Sequence, residues 1–200
     1  MSNADGLRNY TGDGTSGVYI WGAQAENQSY ATSYIPTYGA IATRNQETCA
    51  DATPVINSEE GTLYAEVAAF ANDASETKLI GLSDGTVNNY IVIEFKYGVI
   101  KTALRFNEVQ INNTTGLSST DGNYNKIAIS WNNSTKKFKT YVNGVLNADL
   151  TFVQNPSDLL NELSFASYTV NSGNFFGNTK DLKVYPKALA DVQLIDLTTI

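Results

Sequence analysis

The sequence has no histidine, one cysteine (Cys49) and few charges: Asp, Glu, Lys and Arg make up 16% of its 200 residues, against the quarter usual in globular chains. Without histidine there is no His-containing triad, no His-ligated zinc, and none of the side chain that most often moves protons near neutral pH. One cysteine forms no disulfide within the chain and no thiolate metal cage. Cys49 reads as a small apolar residue, not a reactive thiol. No apolar run approaches the roughly 18 residues of a membrane span, and the N-terminus lacks the basic and apolar regions of a leader peptide; Ser2-Asn3-Ala4 reads as an expression scar. Positive charge is scarce as well. With 13 Lys and Arg against 20 Asp and Glu, a net charge of −7, the chain is poorly matched to a phosphate backbone or an anionic bilayer, so neither nucleic acid nor membrane insertion is expected. Neutral glycans and a calcium ion remain compatible.

What is present is a core. The chain is 42% hydrophobic and 11% aromatic, and its polar surface comes from Asn, Ser, Thr and Gly. That composition suits a protein of many turns and is commonest in secreted, virion and cell-surface β-proteins. Residues 1–16 read as a scar and a loose, Gly- and Asp-rich lead-in. Within 17–45, Val18 to Gln24 reads as a strand, and Ser29 to Gly39, rich in Tyr and hydroxyls with Pro36 and Gly39, as a connector. The remainder, 46–200, carries short alternating segments: Gly61–Phe70, Lys78–Ser83, Asn89–Lys96, Val99–Phe106, Asn107–Asn113, Leu163–Tyr168 and Lys180–Tyr185. Thr114–Gly122 reads as a long polar loop, Pro156–Leu160 as one helical turn and Asn171–Asn178 as a turn. A closing helix after Pro186 sets Leu189, Val192, Ile195 and Asp196/Leu197 at helical spacing, with Asp191 near its N-terminus. Short strands every 10 residues or so, split by turn signals, predict an all-β sandwich of antiparallel sheets with a short C-terminal helix.

The clearest stretch is the meander from Asn123 to Phe152. Ile127, Ile129 and Trp131 alternate with Ala128 and Ser130. After a polar turn at Asn132-Asn133-Ser134-Thr135, Phe138, Thr140 and Val142 oppose Lys139, Tyr141 and Asn143. Asn143-Gly144 is the pair that best tolerates positive φ in a two-residue hairpin. The Ile127/Ile129/Trp131 and Phe138/Val142 faces are assigned to the core.

Two resemblances follow from these segments. Residues 61–198 resemble a laminin-G-like domain of the concanavalin-A-like lectin/glucanase superfamily, through Gly61-Thr62-Leu63-Tyr64-Ala65-Glu66-Val67, Lys126 to Trp131, Tyr141-Val142-Asn143-Gly144-Val145 and Lys180 to Leu189 in that order. The resemblance implies a jelly roll of two curved sheets. Ala190 departs from it, since the family usually offers Ser or Thr to cap the last helix. Residues 18–44, with Val18 to Glu26, Ser29 to Thr37 and Thr43-Arg44, are similar to a joint in bacteriophage tail and appendage proteins. This second resemblance implies the last strand of an upstream module, a linker, and a larger virion parent.

Laminarinase-type hydrolases of the superfamily place acids on alternate strand residues as Glu-x-Asp-x-x-Glu, aiming them into one cleft. Here Glu94 and Glu66 each stand alone, and Glu59-Glu60 diverge if extended, so no catalytic pair is expected. Glycan binding needs rings for sugar faces and amides or carboxylates for hydroxyls. Tyr141, Asn143 and Lys139 share the non-core face of their strand and, with Tyr90 near a hairpin, are the candidate ligand residues. Tyr97, Tyr124 and Tyr168 sit beside loops; Tyr30, Tyr34 and Tyr38 read as linker anchors. Calcium is the metal the fold sometimes carries, and Asp84 and Asp181, with Asp73 and Asp121, are the candidate donors, solvated loop residues being the plainer reading. The sequons at Asn27, Asn112, Asn113, Asn132 and Asn133 matter only in a eukaryotic secretory setting. The expected function is a non-catalytic, lectin-like module of a phage tail or appendage protein, sited on the virion or outside the cell. The alternatives are a structural spacer or homo-oligomerisation module, and an accessory module of a polysaccharide-degrading enzyme.

Overall fold

The structure of the protein, a computed structural model, describes residues 13–15, 17–25, 34–42, 54–69, 77–118, 123–166, 174–175 and 177–200, with the side chains of 116–118 left aside. The chain divides into two units, Met1–Cys49 and Ala50–Ile200.

In the larger unit the described strands are β1 (Glu60–Ala69), β2 (Lys78–Ser83), β3 (Tyr90–Lys96), β4 (Val99–Phe106), β5 (Val109–Ser118), β6 (Asn125–Asn132), β7 (Lys137–Val142), β8 (Val145–Thr151), β9 (Glu162–Ser164) and β10 (Gly177–Tyr185). They form two antiparallel sheets, ordered β10-β1-β6-β7-β8 and β5-β4-β3-β2-β9. One helix, α1 (Asp191–Thr198), follows. This is the all-β sandwich that the alternation predicts.

Period-two patterning decides what lies between the sheets. From the first come Leu63, Ala65, Val67, Ile127, Ile129, Trp131, Phe138 and Val142; from the second, Ile80, Leu82, Ile91, Ile93, Phe95, Ile100, Leu104 and Phe106. Register brings the meander's apolar residues face to face, as Ile127↔Val142 and Trp131↔Phe138. The expected core faces of β6 and β7 are therefore the buried ones. Each such side chain contributes about 1.5–3 kcal/mol on leaving water. Two threonines interrupt this layer. Thr102 on β4 and Thr140 on β7 are fully buried, and their hydroxyls meet at 2.8 Å across the gap between the sheets.

Gly61 lies opposite Trp131 in the β1–β6 ladder, and a Cβ there would run into the indole ring. The largest core side chain therefore requires the residue without one. At the other end of the meander Asn143 (φ 51°) and Gly144 (φ 80°) make the two-residue turn, with Val142 paired to Val145. Tyr97-Gly98 closes the β3–β4 hairpin in the same way, both residues at positive φ. The primed turns match the right-handed twist of the strands they join.

α1 packs on the outer face of the first sheet, where Leu194 joins Tyr64, Ala128 and Tyr141, with Leu189, Tyr185 and Leu197 at the margin. Leu194 and Thr198 are its buried residues, whereas Val192 is 68% exposed and Ile195 40%. The expected Leu189–Val192–Ile195 stripe is thus only partly the contact face. With just two turns, the helix settles on the positions tied to the sheet: Thr198 Oγ1 accepts from Gly144 N–H at 3.2 Å, and Lys126 Nζ donates to the Thr199 carbonyl at 2.7 Å. Ala190 supplies no side-chain cap, and Gln193 Oε1 accepts its N–H at 3.0 Å instead.

Several boundaries differ from the sequence reading. β5 runs on to Ser118, so Thr114–Ser118 belong to a strand rather than a loop, held by pairing with β4. Residues 156–160 bend without forming a helical turn; Asn89 reaches across to Ser157, its Oδ1 accepting the Ser157 N–H at 3.0 Å and its Nδ2 donating to the hydroxyl at 2.9 Å. β9 stops at Ser164, and β10 begins at Gly177, inside the expected Asn171–Asn178 turn. β1 is buried on both faces, and on its outer side Tyr64 packs with Leu194 of α1.

In the smaller unit Val18–Gln24 pairs with no other strand among the described residues, and Gly22 at φ 70° breaks its extended path. Trp21 and Tyr34 meet edge to face at 5.8 Å, and Gln24 Oε1 accepts the Ile35 N–H at 2.8 Å. Cys49, Asp73, Asp121, Tyr30, Tyr168 and Asn27 lie outside the described residues.

Candidate functional site

β7 turns Lys139, Tyr141 and Asn143 outward, as its alternation requires, but α1 changes what outward means. Tyr141 is 2% exposed, packed beneath the helix with Leu194 and Tyr64. This corrects the expectation of a ring on an open face. Burial first, then the charge of Asp191, pushes its phenol above the ordinary value. Asn143 holds the hairpin end: its Oδ1 accepts the Lys126 N–H at 2.9 Å and its Nδ2 donates to Asn125 Oδ1 at 3.0 Å. Lys139 reaches the start of the helix, where its ammonium meets both Asp191 oxygens at 2.7 and 2.9 Å. That hydrogen bond is the main reason Lys139 is raised and Asp191 lowered from their ordinary values.

Beside this pair is a pocket of about 560 Å³, within the range of small-ligand sites. Its floor is the outer face of β6, β7 and β8, with Ser130, Asn132, Lys137, Lys139 and Asp149; its wall is Ala188–Asp191 at the entry to α1. Register explains the floor, because Ser130, Lys139 and Asp149 stand in one cross-strand row. Lys137 pairs with Asp149 at 2.8 Å, so donors and acceptors alternate across the floor. Sequence reading missed Ser130, Asn132 and Lys137 as ligand residues, and with them the two acids Asp149 and Asp191. They are 42 positions apart by residue number, and only the helix folding back over the sheet makes them neighbours of one pocket.

The other acids are dispersed. Glu66 is bound by Lys180 at 2.7 Å on the outer face of β1, Glu59 and Glu60 accept from the Asn133 and Asn132 amides, and Glu94 faces outward on the opposite sheet. Asp149 and Asp191 do share a site. Of the two, Asp191 is held below its ordinary value by Lys139.

The outer face of the second sheet forms a grid. One row crosses it as Glu162, Ser83, Tyr90, Arg105 and Gln110; the next, of smaller residues, is Ser164, Gly81, Val92, Ala103 and Asn112; a third holds Leu79, Glu94, Lys101 and Thr114. Tyr90, a candidate ligand residue, is 3% exposed and donates its hydroxyl to Gln110 Oε1 at 2.8 Å. Its ring packs with Leu79, Val92 and Ala103.

Among the described residues, neither calcium candidate has the donor set for a metal. Asp84 Oδ1 accepts from the Thr86 N–H and hydroxyl at 2.8 and 2.7 Å, and its Oδ2 from Asn89 at 2.6 Å. Burial alone would raise this carboxyl; the bonds from Asn89 and Thr86 outweigh that and lower it. Asp181 lies on the other sheet, ion-paired to Lys183. Calcium takes six to eight oxygen ligands, and no group of three or more Cys, Asp or Glu residues able to hold an ion occurs among the described residues. These residues do not fit the ion.

No curated protein sequence matches the chain. Solved structures do. The CBM40 of a Ruminococcus gnavus IT-sialidase superposes with a TM-score of 0.58 at 18% identity, covering 71% of this chain and 84% of that one. The same module has been solved bound to α2,3-sialyllactose, with a TM-score of 0.58 at 19% identity over 70% and 83%. Domain 4 of AbnA, a GH43 extracellular arabinanase from Geobacillus stearothermophilus in complex with arabinotriose, gives 0.56 at 16% identity, covering 72% and 68%. At these identities the likeness establishes the fold. The family description Laminin_G_3, of the concanavalin A-like lectin/glucanases superfamily, matches residues 42–194. Three quarters of the sequence, ordered as two packed antiparallel sheets with a final helix, fits that description, and the chain belongs to the concanavalin A-like lectin/glucanase superfamily.

Proposed function

We propose that the chain is a non-catalytic carbohydrate-binding module, and that the pocket at the entry to α1 holds a sugar. The carrying observation is that pocket's lining, in which Ser130, Asn132, Lys139, Asp149 and Asp191 present hydroxyl, amide, ammonium and carboxylate groups within about 560 Å³. Adjacent charged donors and acceptors suit the vicinal hydroxyls of a sugar ring, each charge-assisted bond contributing about 1.5–3 kcal/mol. The carbohydrate-binding modules among the structural relatives support the same reading. Lys139 is the sequence-derived candidate that lines this pocket. The parent is read as a phage tail or appendage protein, on the virion or outside the cell, recognising host-surface or environmental glycans; the resemblance of residues 18–44 supports this.

A glycan array on the whole chain, repeated with Asp191→Asn and Lys139→Met, tests the proposal. The wild type should bind a defined set of oligosaccharides, and each variant should lose roughly tenfold in affinity, the equivalent of about 1.4 kcal/mol. No binding at high protein concentration would overturn it. One observation favours a second role in assembly: Val18, Tyr19, Ile20 and Trp21 are each 79–100% exposed. Sedimentation of the chain with and without Trp21→Ser and Ile20→Ser measures whether they bury against a second copy.

A further inference from the structure

Among the described cations of the sandwich, Arg105 has a buried donor nitrogen with no acceptor. Lys137, Lys139, Lys180 and Lys183 each hold a carboxylate. Lys126 donates to a carbonyl and Lys136 to an amide oxygen. Arg105 is half-buried, forms no ion pair among the described residues, and its Nε is shut off from water with no acceptor. An N–H shut away from water without an acceptor is costly, and that cost falls in a chain whose net charge is −7.

The register shows how this side chain is held. Arg105 stands on β4 between Tyr90 on β3 and Gln110 on β5, its direct partners on either side. The Tyr90 hydroxyl donates to Gln110 Oε1 at 2.8 Å, so the bond links the two strands that flank the one carrying Arg105. Gln110 Nε2 in turn donates to Asn112 Oδ1, in the next row. The nearest acid along the chain, Glu108 in the β4–β5 turn, forms no ion pair with Arg105 among the described residues. Glu94 is two rows away, roughly 14 Å along the strands, and Glu162 is three strands away, also roughly 14 Å. In the row between, Gly81, Val92 and Ala103 are small and buried, with the Tyr90 ring packed against Val92 and Ala103.

We infer that Arg105, braced by Tyr90 and Gln110, is the receptor for the carboxylate of an acidic sugar on the outer face of the second sheet. This is a second site, on the opposite side of the sandwich from the Lys139 pocket. The planar fork matches the two oxygens of a carboxylate. The Gln110 and Asn112 amides, both exposed, lie alongside for hydroxyls of the same ring. The Tyr90–Gln110 bond acts as a brace: it fixes the guanidinium before the ligand arrives, so less freedom is lost on binding.

The test compares an acidic oligosaccharide with its neutral counterpart by calorimetry on the whole chain: α2,3-sialyllactose against lactose, and trigalacturonate against its carboxyl-reduced form. An acidic member should bind at least tenfold more tightly than its neutral partner, and the preference should shrink as salt rises. Arg105→Gln should abolish the preference, and Arg105→Lys should keep only part of it. Equal affinity for the acidic and neutral forms would overturn the inference, and so would a preference that survives Arg105→Gln. A sulfated oligosaccharide bound as tightly as the uronate would overturn the carboxylate assignment. The wild-type comparison stands even where an Arg105 variant fails to fold. Failure here is distinguishable from failure of the first proposal: neutral glycan binding that responds to Asp191→Asn would stand alone.

Discussion

Replacing Thr102 or Thr140 with valine removes one hydroxyl from the middle of the sandwich while keeping its shape. Both residues are fully buried, one on each sheet, and their hydroxyl oxygens lie 2.8 Å apart. In either single variant the remaining hydroxyl keeps its place but loses the partner that met it, a desolvation cost of about 1–3 kcal/mol. For a chain of this length each kcal/mol moves Tm by roughly 2–4 °C. The double variant removes both polar groups and fills the space with methyls, so it should lie within about 1 kcal/mol of wild type. The coupling between the two sites is then at least about 1 kcal/mol and favours the double variant. Urea unfolding of the four proteins, with a common m-value, measures all the terms. A double variant as unstable as the sum of the singles would show that the hydroxyls do not satisfy one another. Singles within about 0.3 kcal/mol of wild type would refute the account equally.

Two other outcomes follow from the helix. Ala190→Ser should stabilise the chain by about 0.5–1 kcal/mol, because Ala190 already has the extended backbone of a cap (φ −67°, ψ 155°) and lacks only the side-chain acceptor; thermal unfolding reads the gain. Asp191 is held below its ordinary value of 3.8 by the Lys139 hydrogen bond. It therefore contributes stability above pH 3.8 that is lost as pH falls through the lower folded value. Asp191→Asn should flatten the fall of Tm over that acidic window while leaving the contribution of Asp84, lowered by Asn89 and Thr86. An unchanged slope would mean that the ion pair does not bear on folding.

How much of this was legible in the residues depends on the range of the interaction. Alternation is a property of neighbouring positions, so the inward faces of β6 and β7 could be read before any fold was known. The Asn143-Gly144 and Tyr97-Gly98 turns are equally local, since two residues at positive φ make them. Strand ends were less legible: β5 continues through Thr114 because β4 lies beside it, not because its own residues favour a strand.

The outer faces could not be read this way. Lys139, Tyr141 and Asn143 share one parity, and parity says only that they leave the core. Whether they meet water, a helix or each other depends on residues about fifty positions later in the chain. α1 buries Tyr141, gives Lys139 a carboxylate partner and makes Asp191 a wall of the pocket, while Asn143 closes its own turn. Arg105 shows the same limit, for its partners come from two other strands, and its lack of an acceptor is a fact about three strands in register. By itself the sequence determined the architecture: two sheets, their inward faces, their tight turns and a final helix. The tertiary structure decided which outward-facing residues are covered, paired or left with an unmet charge, because those outcomes depend on contacts between segments that no local spacing records.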